Sequence, residues 1–391
     1  PVVGDGREKI KIVESMCFCS ITFFGTLAAI LLSASSIPTD IDNRVLCTIT
    51  SKPVPRTNII FGKINGFVYI IGVLLLIMGS ISYLLIRYTA LKQGTQDSSG
   101  LLAREAFDPV NLQITGDSVR RIGNVTWIEG GGKGASVWTF KELSSKDKND
   151  NLTIEADFLI EGKKRSTGKI PVKIKIINPY SARVLTESME ISRLKPLLLR
   201  LNGKSLDGST ELTVVVSPEN SGDFLGVRAD DLRILWGEKS FGCNYLKGLV
   251  IISTQFLLMV VIAVLGSTFL SLPVNILFCL FVFFCGNISD FMRDLSTVIN
   301  VFETREHEHV ISEVMQKSNV LLVYLNNIIK KPILLLSYIL PDFRYYSVGE
   351  YFVDGINIPC KRIFVGFGYA VLYALVCLPV SFLVFKRKEI A

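Results

Sequence analysis

The chain has 391 residues and a net charge of +7, and apolar residues make up 49% of it. Its mean hydropathy of +0.42 is above the range of soluble proteins, although the middle of the chain is polar. The apolar surplus therefore has to lie in a few concentrated runs. This excludes an ordinary soluble protein and indicates membrane-spanning segments.

Four stretches contain no charged residue and are candidates for membrane-spanning helices, each of which needs about 20 residues. They lie at 16–37, 64–86, 248–289 and 363–385. The third is about twice the required length. Because Pro273 lies near its midpoint, it is expected to form two helices, 248–270 and 274–289, joined by a tight turn. The sequence thus predicts five spans.

The orientation of these spans follows from the lysines and arginines in the short segments that flank them. The loop at 38–63 and the tail at 386–388 are both basic, so both are expected in the cytoplasm. The residues before Cys17, the long segment 88–247 and the segment 290–362 are then outside. We expect a multi-pass protein of a bacterial inner membrane, with a cytoplasmic C-terminus.

Residues 88–246 have the pattern of a separate β domain. Apolar and polar residues alternate along 152–160 and again along 170–176, as in half-buried strands. Further short strands follow, separated by clusters of Gly, Asn, Asp and Pro. The predicted fold is therefore an α-helical polytopic membrane protein with an inserted all-β sandwich, for which a jelly-roll topology is preferred. Residues 1–87 and 247–391 form the two parts of the membrane domain.

The segment 293–345 is expected to be an external amphipathic or re-entrant region. Its first part, 293–317, has apolar residues at helical spacing among many charges. Two apolar runs follow, at 320–329 and 333–340. Each is too short to cross the bilayer, and charged residues separate them, so neither is predicted to be a span.

The loop at 38–63 carries the candidate functional residues of the membrane domain. They are Asp40, Asp42, Arg44, Lys52, Pro53, Arg56, Gly62 and Lys63. By charge alone the loop is either an anchor that orients the spans or a docking surface for a soluble partner. In a docking surface, the prolines would fix the backbone and the charged side chains would supply contacts.

Parts of the sequence resemble a known family. The run Ser51-Lys52-Pro53-Val54-Pro55-Arg56, followed by Phe61-Gly62-Lys63, resembles the loop between the second and third spans of the permeases of type-2 ABC exporters. That family normally has Glu where this chain has Asp40 and Asp42, a difference that keeps the charge. The external segment from Leu340 and the basic C-terminal end are also similar to the family.

The resemblance implies a permease with six spans and both termini inside. Five spans are visible, and because Pro1 opens a polar stretch with no basic n-region or cleavage site, the sixth is expected upstream. It further implies that an ABC ATPase subunit docks on the loop at 38–63 and that ATP is bound on that subunit. Permeases of this kind pair in the lipid bilayer, here as a homodimer or heterodimer.

The chain itself is expected to be no enzyme, and neither a cofactor nor a nucleic-acid partner is expected. The predicted spans contain no Asp, Glu, Lys, Arg or His. Ion-coupled transport and intramembrane catalysis depend on such residues, so their absence from the spans argues against both.

A second function stays open, that of a membrane-anchored extracytoplasmic binding or sensing protein that works through its β domain. Trp127, Trp138 and Trp236 are candidates for a ligand platform in that domain, since exposed aromatic rings can stack on sugars. The plainer alternative is that these three rings fill the core of the sandwich.

Cysteine, histidine and glycine patterns predict no further chemistry. Cys243 and Cys360 are both expected outside, where they either pair or remain free thiols. The only histidines, His307 and His309, would lie on different sides of a helix, so no metal site is expected. Gly130–Gly134 lacks the spacing and the strand-to-helix context of a phosphate-binding loop and is expected to be a β turn.

Overall fold

The computed structural model divides the chain into two compact units. A helical unit comprises Pro1–Gly100, Tyr245–Asp354 and Ile358–Ala391, and a β unit comprises Leu101–Asn244 with Gly355–Asn357. The residues that the structure describes are 3–43, 56–92, 101, 103–116, 119–122, 125–143, 151–161, 169–179, 184–192, 197–202, 210–288, 335 and 339–387. The predicted amphipathic stretch at 293–317 lies outside the described residues, as does most of the apolar segment at 320–340.

The described part of the helical unit is built from helices that come from three stretches of the chain. In chain order these are α1 (Val3–Ala34), α2 (Ser36–Asp42), α3 (Arg56–Lys92), α4 (Phe241–Ser267), α5 (Leu272–Asn287), a 3-10 helix (Phe343–Tyr346), α6 (Gly349–Val353) and α7 (Cys360–Arg387). α4 is apolar on all sides and is mostly buried within the unit, whereas α3 and α7 expose large apolar side chains such as Leu76, Leu84 and Leu375. These exposed leucines suit contact with lipid.

Four helices are long and apolar enough to cross a membrane, among the residues that the structure describes. They run over Lys9–Asp40, Asn58–Lys92, Phe241–Ser267 and Cys360–Val384. They indicate a membrane protein. The predicted span at 274–289 corresponds to α5, which has 16 residues and starts at the predicted turn. At 1.5 Å per residue α5 is about 24 Å long, less than the hydrocarbon core of about 30 Å, so the five-span count is not confirmed.

Small and polar residues bring the helices of this unit together. A Cβ atom on Gly25 of α1 would lie 2.1 Å from Cζ of Phe256 on α4, so a larger residue would force the Phe256 ring to move. Pro38, in α2, has no N–H to donate to the carbonyl of Ala34 four residues earlier. The Nδ2 group of the fully buried Asn275 on α5 donates to that carbonyl at 3.2 Å and to the carbonyl of Ala263 at 2.9 Å. A polar side chain from α5 thus supplies the hydrogen-bond donor that the Ala34 carbonyl lacks at the break between α1 and α2.

The β unit contains thirteen described strands. They are β1 (Ala103–Phe107), β2 (Asn111–Gly116), β3 (Val119–Ile122), β4 (Val125–Glu129), β5 (Gly134–Phe140), β6 (Asn151–Ala156), β7 (Leu159–Glu161), β8 (Lys169–Ile177), β9 (Val184–Ser192), β10 (Leu197–Asn202), β11 (Leu212–Pro218), β12 (Phe224–Val227) and β13 (Leu232–Lys239). They form three antiparallel sheets, with the orders β1-β13-β6-β10, β2-β5-β11-β8-β9 and β3-β4-β12-β7.

Two of these sheets pack face to face as a β-sandwich, which confirms this part of the predicted fold class. Alternate residues of β5, β8 and β11 are buried, as the alternation in the sequence predicts. They join one hydrophobic cluster with residues of β6, β10 and β13, such as Leu152, Ile154 and Ile234. Gly130–Gly134 links β4 to β5 as a turn, with positive φ at Gly131 and Gly132, so the interpretation as a β turn is also confirmed.

The β unit also includes Gly355–Asn357, a segment far away in the sequence. The N–H of Arg104 on β1 donates to the carbonyl of Gly355 at 2.8 Å, and the N–H of Asn357 donates to the carbonyl of Arg104 at 2.7 Å. Nδ2 of Asn244 donates to the carbonyl of Ile356 at 3.0 Å. Because β1 is an edge strand, this segment covers a row of backbone groups that would otherwise be open.

The short return segment should matter for the stability of the β unit. An excised fragment of residues 101–244 that is joined by a flexible linker to residues 353–359 should unfold at a higher urea concentration than residues 101–244 alone. Three hydrogen bonds at about 1 kcal/mol each predict a difference of about 3 kcal/mol before the cost of ordering the segment. Equal unfolding midpoints for the two fragments would show that the segment adds nothing to stability.

Candidate functional site

The best-defined polar contact in the predicted loop joins α2 to α3. Nζ of Lys63, on α3, donates to the carbonyl of Ser36 at 2.7 Å and forms an ion pair with the carboxylate of Asp40 on α2. The side chains of Lys63 and Asp40 are 17% and 26% exposed, respectively, so the pair is partly shielded from solvent. Lys63 therefore ties the start of α3 to α2. Residues 44–55 lie between these two helices in the sequence.

The remaining predicted residues of this loop lie around the ion pair or outside the described part of the chain. Asp42 ends α2 and Arg56 begins α3, but their side chains lie outside the described residues. Arg44, Lys52 and Pro53 lie outside the described residues entirely. Gly62 precedes Lys63 on α3, and a Cβ atom added there would meet nothing within 4 Å, so close packing within the chain does not require this glycine.

The structure contradicts the tryptophan platform predicted for the β domain. Trp138 is 0% exposed and Trp236 is 5% exposed, and both belong to the core cluster between the sheets. The alternation along β5 directs Trp138 inward with Ser136 and Phe140, and its ring lies 5.5 Å from the ring of Phe158. Only Trp127, on β4, is half-buried rather than buried. The three rings therefore form no common exposed surface. Trp138 and Trp236 fill the core of the sandwich instead.

The cysteines and acidic residues form no reactive cluster in the described part of the chain. Cys243 and Cys360, whose pairing the sequence left open, are both exposed free thiols. No group of three or more His, Cys, Asp or Glu side chains is arranged to hold a metal ion among the described residues.

Burial raises the pKa of Asp231 in the β unit, although its carboxylate accepts hydrogen bonds from the backbone N–H and Nε of Arg228.

A cleft of about 600 Å³ lies within the helical unit and was not predicted from the sequence. Its walls come from α1, α4, α5, the 3-10 helix and α6. The lining residues are Ser15, Phe18, Cys19, Thr22, Phe23, Gln255, Phe283, Asn287, Phe343, Ser347, Val348, Gly349, Glu350, Val353 and Asp354. Because they come from five elements between residues 15 and 354, no local motif could have shown that they meet.

Aromatic contacts attach α6 to α1 beside this cleft. The ring of Phe18 on α1 stacks on Phe352 of α6 with centroids 4.1 Å apart, and it lies 5.4 Å from the ring of Tyr245. The hydroxyl of Tyr245 donates to the carbonyl of Gly79 on α3 at 2.8 Å. These contacts join α6, which forms one wall of the cleft, to α1, and they join α1 to α3 through Tyr245 of α4.

The segment between the 3-10 helix and α6 is also fixed to α7. The hydroxyl of Tyr346 donates to the carbonyl of Gly366 at 3.0 Å. Arg362 donates through Nη1 to the hydroxyl of Tyr351 at 2.7 Å, and its guanidinium carbon lies 4.8 Å from the centre of that ring. Nη2 of Arg362 donates to the carbonyl of Arg344 at 3.0 Å. This wall of the cleft is therefore held by the side chain of Arg362 and by the backbone carbonyl of Gly366, both on α7.

No protein-family model and no curated protein matches the sequence. Similar solved structures include a CBM4 protein, at 8% identity and a TM-score of 0.25, over 33% of this chain and 88% of that one. A family 29 carbohydrate binding module is similar at 16% identity and a TM-score of 0.22, over 35% of this chain and 90% of that one. CBM22-1-GH10 modules of the Clostridium thermocellum xylanase 10B are similar at 10% identity and a TM-score of 0.21, over 35% of this chain and 28% of that one.

Proposed function

We propose that the chain is the membrane-spanning permease subunit of an ATP-driven exporter of the type-2 ABC class. The observation that carries the proposal is the contact of Lys63 with Asp40 and with the carbonyl of Ser36. These residues bracket the segment whose sequence resembles the ATPase-coupling loop of that class. The contact ties α2, which follows α1 after one residue, to α3 and so fixes both ends of the segment.

Fixed ends are what a coupling segment requires. A soluble motor that pushes on a flexible loop would deform the loop and leave the helices in place. Here α2 follows α1 after one residue, and Lys63 lies in the third turn of α3, so a displacement of residues 44–55 would be passed to both helices. The charged residues of this segment would then supply specificity for the partner surface.

The proposal includes a topology. The connection between α2 and α3 and the end of α7 lie in the cytoplasm, and the β unit lies outside, inserted between α3 and α4. The basic residues Arg44, Lys52, Arg56 and Lys63 and the tail at 386–388 support this orientation. ATP binds a separate ATPase subunit, and two permease chains pair in the bacterial inner membrane to complete the transporter. In this arrangement the cleft beside Phe18 lies toward the outer end of α1 and belongs to the transport path.

Co-purification tests this proposal. The full chain, expressed in its own cells with an affinity tag and extracted in mild detergent, should carry a P-loop ATPase in near-stoichiometric amount. The association should weaken as salt is raised, because charges on the connecting segment contribute to it. A chain that purifies at every salt concentration without an ATPase, but with a glycan or another ligand on the β unit, would favour the membrane-anchored binding protein.

A further inference from the structure

The lining of the cleft combines aromatic rings with acidic groups. Phe18, Phe23, Phe283 and Phe343 contribute four aromatic rings, and Glu350 and Asp354 contribute two carboxyl groups. No lysine, arginine or histidine belongs to the described lining. The cleft therefore combines an apolar interior with carboxyl groups at the side of α6.

The volume of the cleft sets the size of what it can hold. About 600 Å³ is within the range of sites for drug-sized molecules, which are mostly apolar with a few polar groups that fix the orientation of the ligand. Gln255 is such a polar group, since it is 2% exposed, and its Nε2 contacts Oγ1 of Thr26 at a long 3.4 Å. The rings of Phe283 and Phe343, with centroids 5.7 Å apart and tilted by 57°, offer faces that attract a cation.

Glu350 and Asp342 differ in their charge partners. The nearby Asp342 is neutralised by Arg344, through Nε at 2.9 Å and through Nη2. Glu350 is exposed on α6, and no cation is paired with it among the residues that the structure describes. An unpaired carboxylate next to an aromatic cleft attracts positive charge more strongly than a solvated ion pair does.

We propose that this cleft binds an amphipathic cation, with its apolar part among the phenylalanine rings and its positive charge toward Glu350. The inference names a substrate class for the exporter and in that sense rests on the proposed function. A cationic amphiphile concentrates at the membrane surface, and a cleft toward the outer end of α1 would take part in its release. An anionic amphiphile of the same size would meet repulsion at the same point.

A pair of probes with the same shape and opposite charge tests the proposal. Tetraphenylphosphonium and tetraphenylborate binding should be measured on the purified full chain in detergent by equilibrium dialysis, with corrections for uptake by the micelles. Glu350→Gln should weaken tetraphenylphosphonium binding about fivefold and leave tetraphenylborate binding unchanged or stronger, because a rim charge contributes about 1 kcal/mol. Glu187→Gln, at an exposed glutamate of β9, is the matched control and should change neither.

Equal effects of Glu350→Gln on both probes, or tighter binding of tetraphenylborate to the parent chain, would overturn the proposal. Phe283→Ala provides a second readout that does not depend on the rim charge, since it should weaken tetraphenylphosphonium binding without altering the fold of the β unit. This binding measurement does not depend on an ATPase, and ATPase association is measured separately by co-purification. Selective cation binding by a chain that co-purifies with no ATPase would refute the permease proposal alone. ATPase association without selective cation binding would refute only the cation site.

Discussion

Lys63→Glu is expected to abolish the association of the chain with an ATPase. The new carboxylate would lie next to Asp40 and leave the carbonyl of Ser36 without its donor. Like charges at this separation repel, and the ends of α2 and α3 would move apart. We expect the amount of co-purified ATPase to fall at least about tenfold, since a lost and reversed ion pair in a partly shielded site costs about 2 kcal/mol or more.

The reciprocal substitution provides the control for this effect. Asp40→Lys combined with Lys63→Glu restores an ion pair of reversed polarity and should recover most of the association, although Ser36 would still lack its donor. Lys92→Glu, at the other end of α3, should have no effect on association. Because lysines also orient spans, accessibility labelling has to show the same topology for each variant. Normal ATPase association in the correctly inserted Lys63→Glu variant would mean that the ion pair has no part in coupling.

Trp138→Ala is expected to be the most destabilising single change in the β unit. The side chain is fully buried between the sheets and contacts Phe158, so its removal leaves a large cavity. The free energy of unfolding should fall by about 3–5 kcal/mol, the usual range for truncating a buried tryptophan. Urea denaturation of the β unit, followed by far-UV circular dichroism, measures the loss directly.

Trp127→Ala is the matched control for that measurement. This tryptophan is half-buried on β4, so its removal should cost less than half as much as the loss of Trp138. If both substitutions left stability unchanged and each removed binding of a sugar, the interpretation of these rings as core would be wrong. Equal, large losses of stability would instead show that Trp127 also belongs to the core.

The strands and the long helices could be predicted because their signals are local. Alternating apolar residues along β8 and β11 establish which face of each strand is buried, and charge-free runs identify the long helices. The same alternation already directs Trp138 inward with Phe140, which argued for the core and against an exposed platform. The span count is not confirmed at α5, because residues 274–289 carry no charge, while the helix ends at Asn287 after 16 residues.

The parts that could not be predicted depend on contacts between distant residues. The return of Gly355–Asn357 to β1 depends on an open strand edge more than 200 positions away along the chain, and the backbone atoms that pair leave no trace in composition. The cleft depends on the meeting of α1, α4, α5 and α6. The hydrogen bond from Asn275 to the carbonyl of Ala34 also joins residues that are distant in the sequence. Pro38 indicates that a carbonyl is left without a donor, but it does not indicate which side chain will supply one.

The most direct test of the permease proposal is a cross-link from the connection between α2 and α3. Asn43 is exposed at the end of α2, next to the segment proposed to contact the ATPase. A photoactivatable cross-linker on Asn43→Cys, in a chain whose native cysteines are replaced, should attach to a P-loop ATPase in membranes from the native cells. Asp108→Cys, exposed in the β unit, should give no such product. A cross-link to the ATPase from Asn43, lost in the Lys63→Glu background, is the result that the proposal predicts. Labelling of Asn43→Cys by a membrane-impermeant reagent in intact cells, with no ATPase attached, would contradict it.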